Sequence, residues 1–187
     1  MSTPAKISSG MLSVLDRIEI AMTTMETWLD HEDRLHYARI IMSNKEVFSA
    51  RLEEMALQLA AAVETPWAAV NIVVKQYTST LAAIGPGGPI DIDVQREQSY
   101  CQYVAGTGHS FRVEDARVNP LVSGNVNTVG GHLIQAYYGA PIHSENGHTV
   151  GAFCVADVVP RSWKDAEIAL VDDYARQTTE LFKEMRA

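Results

Sequence analysis

The chain has 187 residues, 47% of them hydrophobic, with a formal net charge of −8 and a pI of about 5.2. This length predicts one domain with an extension, and the apolar share is sufficient for a hydrophobic core. Acidic residues are scattered and no run of Lys or Arg occurs, which excludes the clustered positive charge that nucleic acids and anionic membranes attract. Cys101 and Cys154 have no metal-binding spacing, and no apolar run predicts a signal peptide or membrane span. We therefore expect a cytoplasmic protein without nucleic-acid or membrane partners.

The N-terminal third has the pattern of amphipathic helices. One apolar stripe repeats at spacings of four and three, as in a short coiled-coil seam; its members are Met11, Leu15, Ile18, Met22, Met25 and Leu29. The charged cluster at 30–33 interrupts it, and a short helix is predicted around 35–42. Residues 1–42 are therefore predicted to be a helical extension, for coiled-coil formation or dimerisation, ahead of a domain at 43–187.

A second strong helical pattern covers residues 43–63. Ser43 and Glu46 have the spacing of a capping box at its start. A valine-rich apolar run at 68–74 then predicts a buried strand, and residues 78–84 are predicted as its hairpin partner.

The following residues alternate between short elements and an irregular stretch. Residues 99–105 predict a short helix and residues 110–114 a strand. The segment 116–131 has little periodicity and is rich in Asn, Gly and Val. We expect a long irregular segment there, of the kind that is usually functional in a compact domain.

The last third predicts a hairpin and a long helix. Strands are expected at 133–142 and 149–157, with Asn146-Gly147 forming a type I′ turn. Ser162 is expected to cap the C-terminal helix, whose apolar stripe ends at Met185. Antiparallel strands with helices grouped on one face predict the α+β class.

Four motifs occur in a fixed order between Ser99 and Arg161: SYCQYV, FRVEDARVNPLV, YYGAPI and NGHTVGAFCVADVVPR. Together they resemble a GAF domain, most closely those of bacterial sensor kinases and phosphatase regulators, and the resemblance extends over residues 43–187. It implies a central antiparallel sheet of about six strands. The first and last helices of the domain would pack on one face, and a ligand pocket would lie on the other.

Individual residues of these motifs have plausible physical roles. Gly139 and Gly151 suit positions where a neighbouring backbone or a ligand comes close. Asp115 and Asp157 follow strands, where their carboxylates can cap the next turn.

The resemblance also implies which residues border the pocket. Tyrosine suits such a site because its ring packs while its hydroxyl orients a ligand. Tyr137 and Tyr138 are adjacent in a predicted strand, so they face opposite ways and at most one can line the pocket. The full predicted set is Tyr100, Cys101, Val104, Asp115, Asn119, Asn125, His132, Gln135, Tyr137, Tyr138, Cys154 and Asp157.

The two cysteines admit two interpretations: a redox pair or chromophore attachment, or two small buried hydrophobic residues. Bilin-binding relatives typically have histidine after the attachment cysteine, whereas Gln102 follows Cys101. Relatives that reduce methionine sulfoxide have a cysteine in the segment that corresponds to 120–125, where this chain has none. His132 is the best-placed haem ligand, with an ordinary solvated histidine as the alternative. We expect neither bilin nor haem, no metal site, and no firmly implied cofactor.

The predicted function is that of a sensory or regulatory domain rather than an enzyme, since no complete catalytic motif is present. It would bind a small molecule and signal through helix packing or a partner protein, as a homodimer formed by its N- and C-terminal helices. No output segment follows Ala187, so the signal is expected to leave through the helices or a partner, unless the chain is a piece of a longer one. The alternatives are a thiol-based reductase resembling the methionine-sulfoxide-reductase GAF proteins and a ligand-free dimerisation scaffold.

Overall fold

The computed structural model describes residues 14–125 and 127–184, with side chains from residue 19 onward. Within these residues the helices are α1 (Val14–Leu29), α2 (Glu32–Ser43), α3 (Lys45–Val63), α4 (Cys101–Thr107) and α5 (Asp165–Lys183). The strands are β1 (Trp67–Val73), β2 (Tyr77–Gly85), β3 (Gly88–Pro89), β4 (Asp93–Gln95), β5 (Phe111–Val113), β6 (Thr128–Val129), β7 (His132–Leu133), β8 (Ala136–His143) and β9 (Thr149–Asp157). No helix in this part of the chain is long and apolar enough to cross a membrane.

The central sheet is antiparallel and has the order β3-β2-β1-β9-β8-β5, with β4 also paired to β2. Helices α3 and α5 lie on one face, where they contact each other as well as the sheet. Helix α4 lies on the opposite face, and α1 packs against it. The predicted α+β fold, with its domain helices on one face, is confirmed.

The core beneath α3 and α5 forms because each helix presents one apolar stripe to the sheet. Phe48, Leu52 and Leu59 of α3 are buried, and Phe182 of α5 stacks edge-on against Phe48 with ring centroids 5.4 Å apart. Each such side chain contributes about 2 kcal/mol through the apolar surface that it removes from water. Helix α2 adds Ile41 to the same core, so this part of the predicted extension packs with the rest of the chain.

The opposite face is covered by α4 and α1. Met25 and Leu29 of α1 are buried there, and Met22 is partly buried against the same cluster. Helix α1 packs closely on α4 at Gly106, where an added Cβ atom would lie 2.2 Å from Met25 Cγ. The described part of the predicted seam is therefore covered by its own chain. Met11 and the side chains of Leu15 and Ile18 lie outside the described residues.

The predicted capping box at Ser43 is wrong. Ser43 is the last residue of α2, and α3 begins two positions later with Asn44 as its N-cap. An N-cap needs non-helical backbone with a free side-chain oxygen, whereas α2 and α3 are separated by one residue and Ser43 is still helical. The Asn44 side chain donates to the Ile40 carbonyl oxygen instead.

The predicted cap at Ser162 is also wrong, because α5 begins at Asp165 with Lys164 as its N-cap residue. The Lys164 backbone N–H donates to Glu167 Oε2 at 2.9 Å, so the acidic residue in the first turn satisfies the helix start. The stripe of α5 continues to the buried Phe182, and Met185 lies outside the described residues.

The β8–β9 turn differs from the predicted type I′ geometry, since only Gly147 of the Asn146-Gly147 pair has a positive φ, at 80°. The Gly147 N–H donates to the Ser144 carbonyl oxygen, and the Ser144 N–H donates to that of His148, which gives a three-residue loop with Gly in the left-handed position. A two-residue turn with positive φ at both positions instead joins β6 to β7, at Gly130 and Gly131. This hairpin lies at the end of the segment predicted to be irregular.

Candidate functional site

A cavity of about 70 Å³ lies on the α4 face, between α4 and strands β1, β2, β8 and β9. Val129 of the β6–β7 hairpin borders it, together with Asn127 just before the hairpin and Ile134 just after it. The walls are mostly apolar, and the polar members from the sheet are Asn71, Thr78 and Thr80. Ligand sites commonly have this composition, with few polar groups in an apolar wall.

The described lining residues of the cavity include no Asp, Glu, Lys, Arg or His, so no cationic side chain faces it. A phosphate group needs a cation or a set of backbone N–H donors to replace its water. Burying an unpaired charge costs far more than burying a neutral polar group. The cavity is therefore suited to an uncharged molecule.

Three polar atoms at the cavity have no hydrogen-bond partner among the described residues: Trp67 Nε1, Thr78 Oγ1 and Asn127 Oδ1. Their residues are 6%, 2% and 8% exposed, so bulk solvent does not satisfy them. Trp67 Nε1 can only donate, Asn127 Oδ1 can only accept, and the Thr78 hydroxyl can do either. A bound acceptor would satisfy Trp67 Nε1 and a bound donor would satisfy Asn127 Oδ1, whereas Thr78 pairs with Val73 at the other end of β1, about 20 Å from Trp67 along the strand.

Two threonines of β2 provide a test of this hydrogen-bond pattern. Thr80 Oγ1 lies 3.0 Å from Asn71 Oδ1 and 2.6 Å from the Ile92 carbonyl oxygen, whereas Thr78 Oγ1 has no such partner in the described chain. We expect Thr80→Val to lower the free energy of unfolding by about 1 kcal/mol more than Thr78→Val, because only the former removes a hydroxyl that donates a hydrogen bond within the protein. Urea unfolding of both variants measures the difference. Equal losses would show that the Thr78 hydroxyl is satisfied in the folded protein.

Cys101 and Cys154 lie side by side in the cavity wall, with their Sγ atoms 4.0 Å apart and both thiols free. Cys101 is the first residue of α4, and Cys154 lies in the middle of β9. Tyr137 Oη donates to Cys101 Sγ at 3.3 Å. Asn71 Nδ2 lies 3.4 Å from Cys101 Sγ and 3.6 Å from Cys154 Sγ. Two hydrogen-bond donors therefore point at this pair of sulfur atoms.

These contacts give the two thiols different pKa values. The hydrogen bond with Cys154 lowers the pKa of Cys101 to about 7, against the opposing effect of burial, and the bonds from Tyr137 and Asn71 act in the same direction. The shared bond and burial raise the pKa of Cys154 well above its usual range. Burial, followed by the nearby sulfur charge, also raises the pKa of Tyr137, so its hydroxyl stays protonated and keeps donating. Cys101 is thus the member of the pair that ionises first.

Four of the residues predicted to border the pocket do line the cavity: Tyr100, Cys101, Tyr137 and Cys154. The prediction that Tyr137 and Tyr138 face opposite ways is confirmed. Tyr138 lies on the other face of the sheet, where its hydroxyl donates to Asp172 Oδ1 of α5 at 2.8 Å.

Asp115 and Asp157 do not line the cavity and have the turn-capping role predicted for aspartates after strands. Asp115 Oδ1 accepts from the Arg117 N–H, and Asp157 Oδ1 accepts from the Val159 N–H. The Arg161 guanidinium lies between Asp157 Oδ2, at 3.4 Å, and Glu167 Oε1, at 2.8 Å. These two aspartates therefore stabilise the turns that follow β5 and β9.

The remaining predicted residues also lie outside the cavity wall. Val104 is buried in the apolar cluster under α4. Asn119 caps its own turn through the Leu121 N–H, and Asn125 Nδ2 donates to the Glu97 carbonyl oxygen. His132 is exposed beside the Trp67 ring, and Gln135 Oε1 is buried with no partner among the described residues. Within the described chain no group of three or more His, Cys, Asp or Glu side chains could hold a metal ion.

Sequence reasoning missed the contribution of β1 and β2 to the site. Trp67 starts a strand, and Thr78 and Thr80 lie within one. The sequence pattern around them predicts strands and does not indicate a cavity. Asn71 carried a usable signal, because it is the single polar residue in the apolar run 68–74. A buried amide in such a run must have partners, and here its partners are the cavity sulfurs and Thr80.

Comparison with known proteins decides the family. The profile of the GAF domain matches residues 47–179, which is most of the chain. The chain belongs to the GAF domain family. This GAF chain is also 32% identical over 127 residues to a cyclic di-GMP phosphodiesterase of Pseudomonas aeruginosa, a match that covers 66% of the chain and 21% of that protein. The chain thus spans about a fifth of the length of the curated relative.

Solved structures show the same GAF fold. One is the GAF domain of an Acinetobacter phosphoenolpyruvate-protein phosphotransferase, with a TM-score of 0.60 and 16% identity over 82% of this chain and 95% of that one. Another is the free methionine-R-sulfoxide reductase of Neisseria meningitidis, with a TM-score of 0.58 and 14% identity over 98% of both chains. Sequence identities this low show that the fold is shared. The chemistry of this chain has to be argued from the residues of its own cavity.

Proposed function

We propose that this GAF domain is a sensory or regulatory module that binds a small uncharged molecule in the cavity between α4 and the sheet. The observation that carries this proposal is the set of three buried, unpartnered polar atoms, on Trp67, Thr78 and Asn127, around an otherwise apolar wall. Native proteins rarely leave such atoms unsatisfied. A ligand that pairs with any one of them would gain a hydrogen bond that the protein alone does not make.

The volume and charge of the cavity limit the class of ligand. A volume of about 70 Å³ compares with the ~300–1,000 Å³ of pockets for drug-sized ligands. A molecule of a few non-hydrogen atoms fits this volume. Cyclic dinucleotides, which the curated relative is named for acting on, carry phosphates, and the described wall has no cationic side chain to match them.

The proposed output passes through the helices, with residues 1–42 as the transmitting extension and 43–187 as the domain. A ligand shifts the balance between two helix packings only if it binds one of them better. Exposed apolar side chains, such as Ile20 of α1 and Leu170 of α5, suit a homodimer formed by the N- and C-terminal helices. A signalling partner protein and a bacterial cytoplasmic location complete this proposal.

Native mass spectrometry of the freshly purified full chain, with an absorbance scan, tests the proposal first. We expect a dimer and, on addition of a panel of small uncharged metabolites, a bound mass and a raised melting temperature. Trp67→Phe removes one unpartnered donor and should weaken the binding at least tenfold, a loss typical of a ligand's hydrogen bond to a buried group. Trp28→Phe, at a partly exposed tryptophan of α1, is the matched control.

Other outcomes distinguish the alternatives. No binding by any compound, with a dimer retained, would favour the ligand-free scaffold. A visible chromophore in the scan would contradict the expectation that bilin and haem are absent. Turnover of an added sulfoxide would instead indicate a thiol-based reductase. The observation in favour of that alternative is the contact between the Sγ atoms of Cys101 and Cys154.

A further inference from the structure

The contact between the two thiols has the geometry of a reactive pair. A disulfide has an S–S length of about 2.05 Å, so the 4.0 Å between the Sγ atoms of Cys101 and Cys154 must shorten by about 2 Å. Cys154 is fixed in the central strand β9, whereas Cys101 lies at the end of a helix of seven residues. The approach therefore requires a small movement of Cys101 toward the sheet.

We propose that Cys101 and Cys154 form a peroxide-reactive dithiol site, in which Cys101 is the attacking thiolate and Cys154 the resolving thiol. This inference goes beyond the proposed ligand-binding function and does not depend on it. Nothing in the family match assigns a reaction to either cysteine.

The two steps balance in atoms and electrons. The Cys101 thiolate attacks one oxygen of hydrogen peroxide, the O–O bond breaks, and the leaving hydroxide takes a proton to become water. The sulfur is thereby oxidised by two electrons to a sulfenic acid. Cys154 then attacks that sulfur, the S–O bond breaks, and the departing hydroxide accepts the Cys154 proton as a second water. An external dithiol returns the pair to the reduced form by thiol–disulfide exchange and becomes a disulfide itself.

The surroundings assign these roles to the two cysteines. Tyr137 Oη and Asn71 Nδ2 donate toward Cys101 Sγ, and donors of this kind stabilise a thiolate more than a thiol. Cys154 keeps its proton at a pH where Cys101 has lost its own, because the shared hydrogen bond and burial raise its pKa. The protonated thiol can therefore supply the proton that the second step needs.

The size of the cavity selects the oxidant. Both cysteines line a space of about 70 Å³, and roughly 10–15 Å³ of such a space is enough to hold one water molecule. Hydrogen peroxide has two non-hydrogen atoms and fits, whereas an amino-acid sulfoxide is several times larger. The geometry therefore favours a peroxide-reactive pair over a reductase of free methionine sulfoxide.

The test uses the full chain, fully reduced and then treated with hydrogen peroxide. We expect the intact mass to fall by two hydrogen atoms, both thiols to disappear from a titration in denaturant, and a monomeric band on a non-reducing gel. The rate should rise with pH with a midpoint near 7, the pKa of Cys101. At pH 7 it should be faster than for the urea-unfolded chain, whose cysteines have a pKa of about 8.5 and are mostly protonated.

Variants separate the two roles. Cys154→Ser should still react but stop at the sulfenic acid, which dimedone traps, while Cys101→Ser and Cys101→Ala should react at least tenfold more slowly. Tyr137→Phe should move the pH midpoint upward, a result that a purely structural role would not give.

The proposal is overturned if the folded wild type reacts no faster than the unfolded chain, if Cys101→Ser still consumes peroxide at the wild-type rate, or if the disulfide joins two chains. Because the metabolite screen is run separately on reduced protein, its failure would refute the ligand proposal without affecting this one.

Discussion

Gly151→Ala should destabilise the domain by about 3 kcal/mol or more, in the upper range for overpacked sites. Gly151 lies in β9 where this strand pairs with β1, opposite Ile72. A Cβ atom at this position would lie 1.9 Å from the carbonyl oxygen of Asn71 and 3.0 Å from the Cα of Ile72. Both are backbone atoms of a central strand, so the clash can be relieved only by separating two strands of the sheet.

Urea unfolding of Gly151→Ala measures this loss, and Gly124→Ala is the matched control. Gly124 has no atom within 4 Å of an added Cβ, so its substitution should change the free energy of unfolding by less than about 0.5 kcal/mol. Because the Asn71 amide faces both sulfurs, separation of β1 from β9 should also change the reactivity of Cys101. A Gly151→Ala protein as stable as the control would mean that β9 can bend locally, contrary to the packing described here.

Arg34→Met should cost about 3 kcal/mol, because it leaves two buried carbonyl oxygens without donors. The Arg34 side chain is fully buried. Its Nε and Nη2 atoms donate to the Leu29 carbonyl oxygen at the end of α1, and Nη1 donates to the Val73 carbonyl oxygen at the end of β1 at 2.7 Å. Burial, then the charge of Arg96, lowers the pKa of Arg34 to about 10, with Asp30 opposing. The guanidinium remains charged at neutral pH and joins α1 to the sheet.

Arg39→Met is the control for this prediction, since Arg39 lies in the same helix with an exposed side chain. Arg34→Lys should be intermediate, because one ammonium group cannot reproduce the fork that reaches both carbonyl oxygens. Hydrogen exchange adds a second readout: amide protection in α1 should fall more than protection in α3. Uniform loss of protection across both helices would show that Arg34 supports the whole fold rather than the attachment of α1.

The sequence was a good guide where one physical signal was strong. The apolar run 68–74 predicted a buried strand, and the glycines at 139 and 151 were expected where a neighbouring backbone or a ligand comes close. Gly151 does meet the β1 backbone, and Gly139 makes room for the Tyr137 hydroxyl, which would lie 2.1 Å from an added Cβ. The motif residues indicated where close contacts occur, and the structure shows which atoms make them.

Predictions from local sequence motifs were wrong where a neighbouring element occupied the same residues or fixed a different loop length. Ser43 has the residue spacing of a capping box, but the preceding helix extends through it. Asn146-Gly147 has the composition of a type I′ turn, but the β8–β9 register leaves three residues to close the loop rather than two. The cavity wall shows the same limitation, because Trp67 and Thr78 border it only through strand pairing that the sequence does not specify.

The contact between Met25 and Gly106 gives α4 a mechanical role. Cys101 in the cavity wall and Gly106 under α1 are five residues apart on one helix, about 7.5 Å along its axis at 1.5 Å per residue. A single turn and a half of helix does not bend appreciably, and the absence of a side chain at Gly106 leaves no compressible layer between the two helices. If the disulfide proposed above draws Cys101 toward the sheet, we expect α4 to move as one piece and α1 to shift with it.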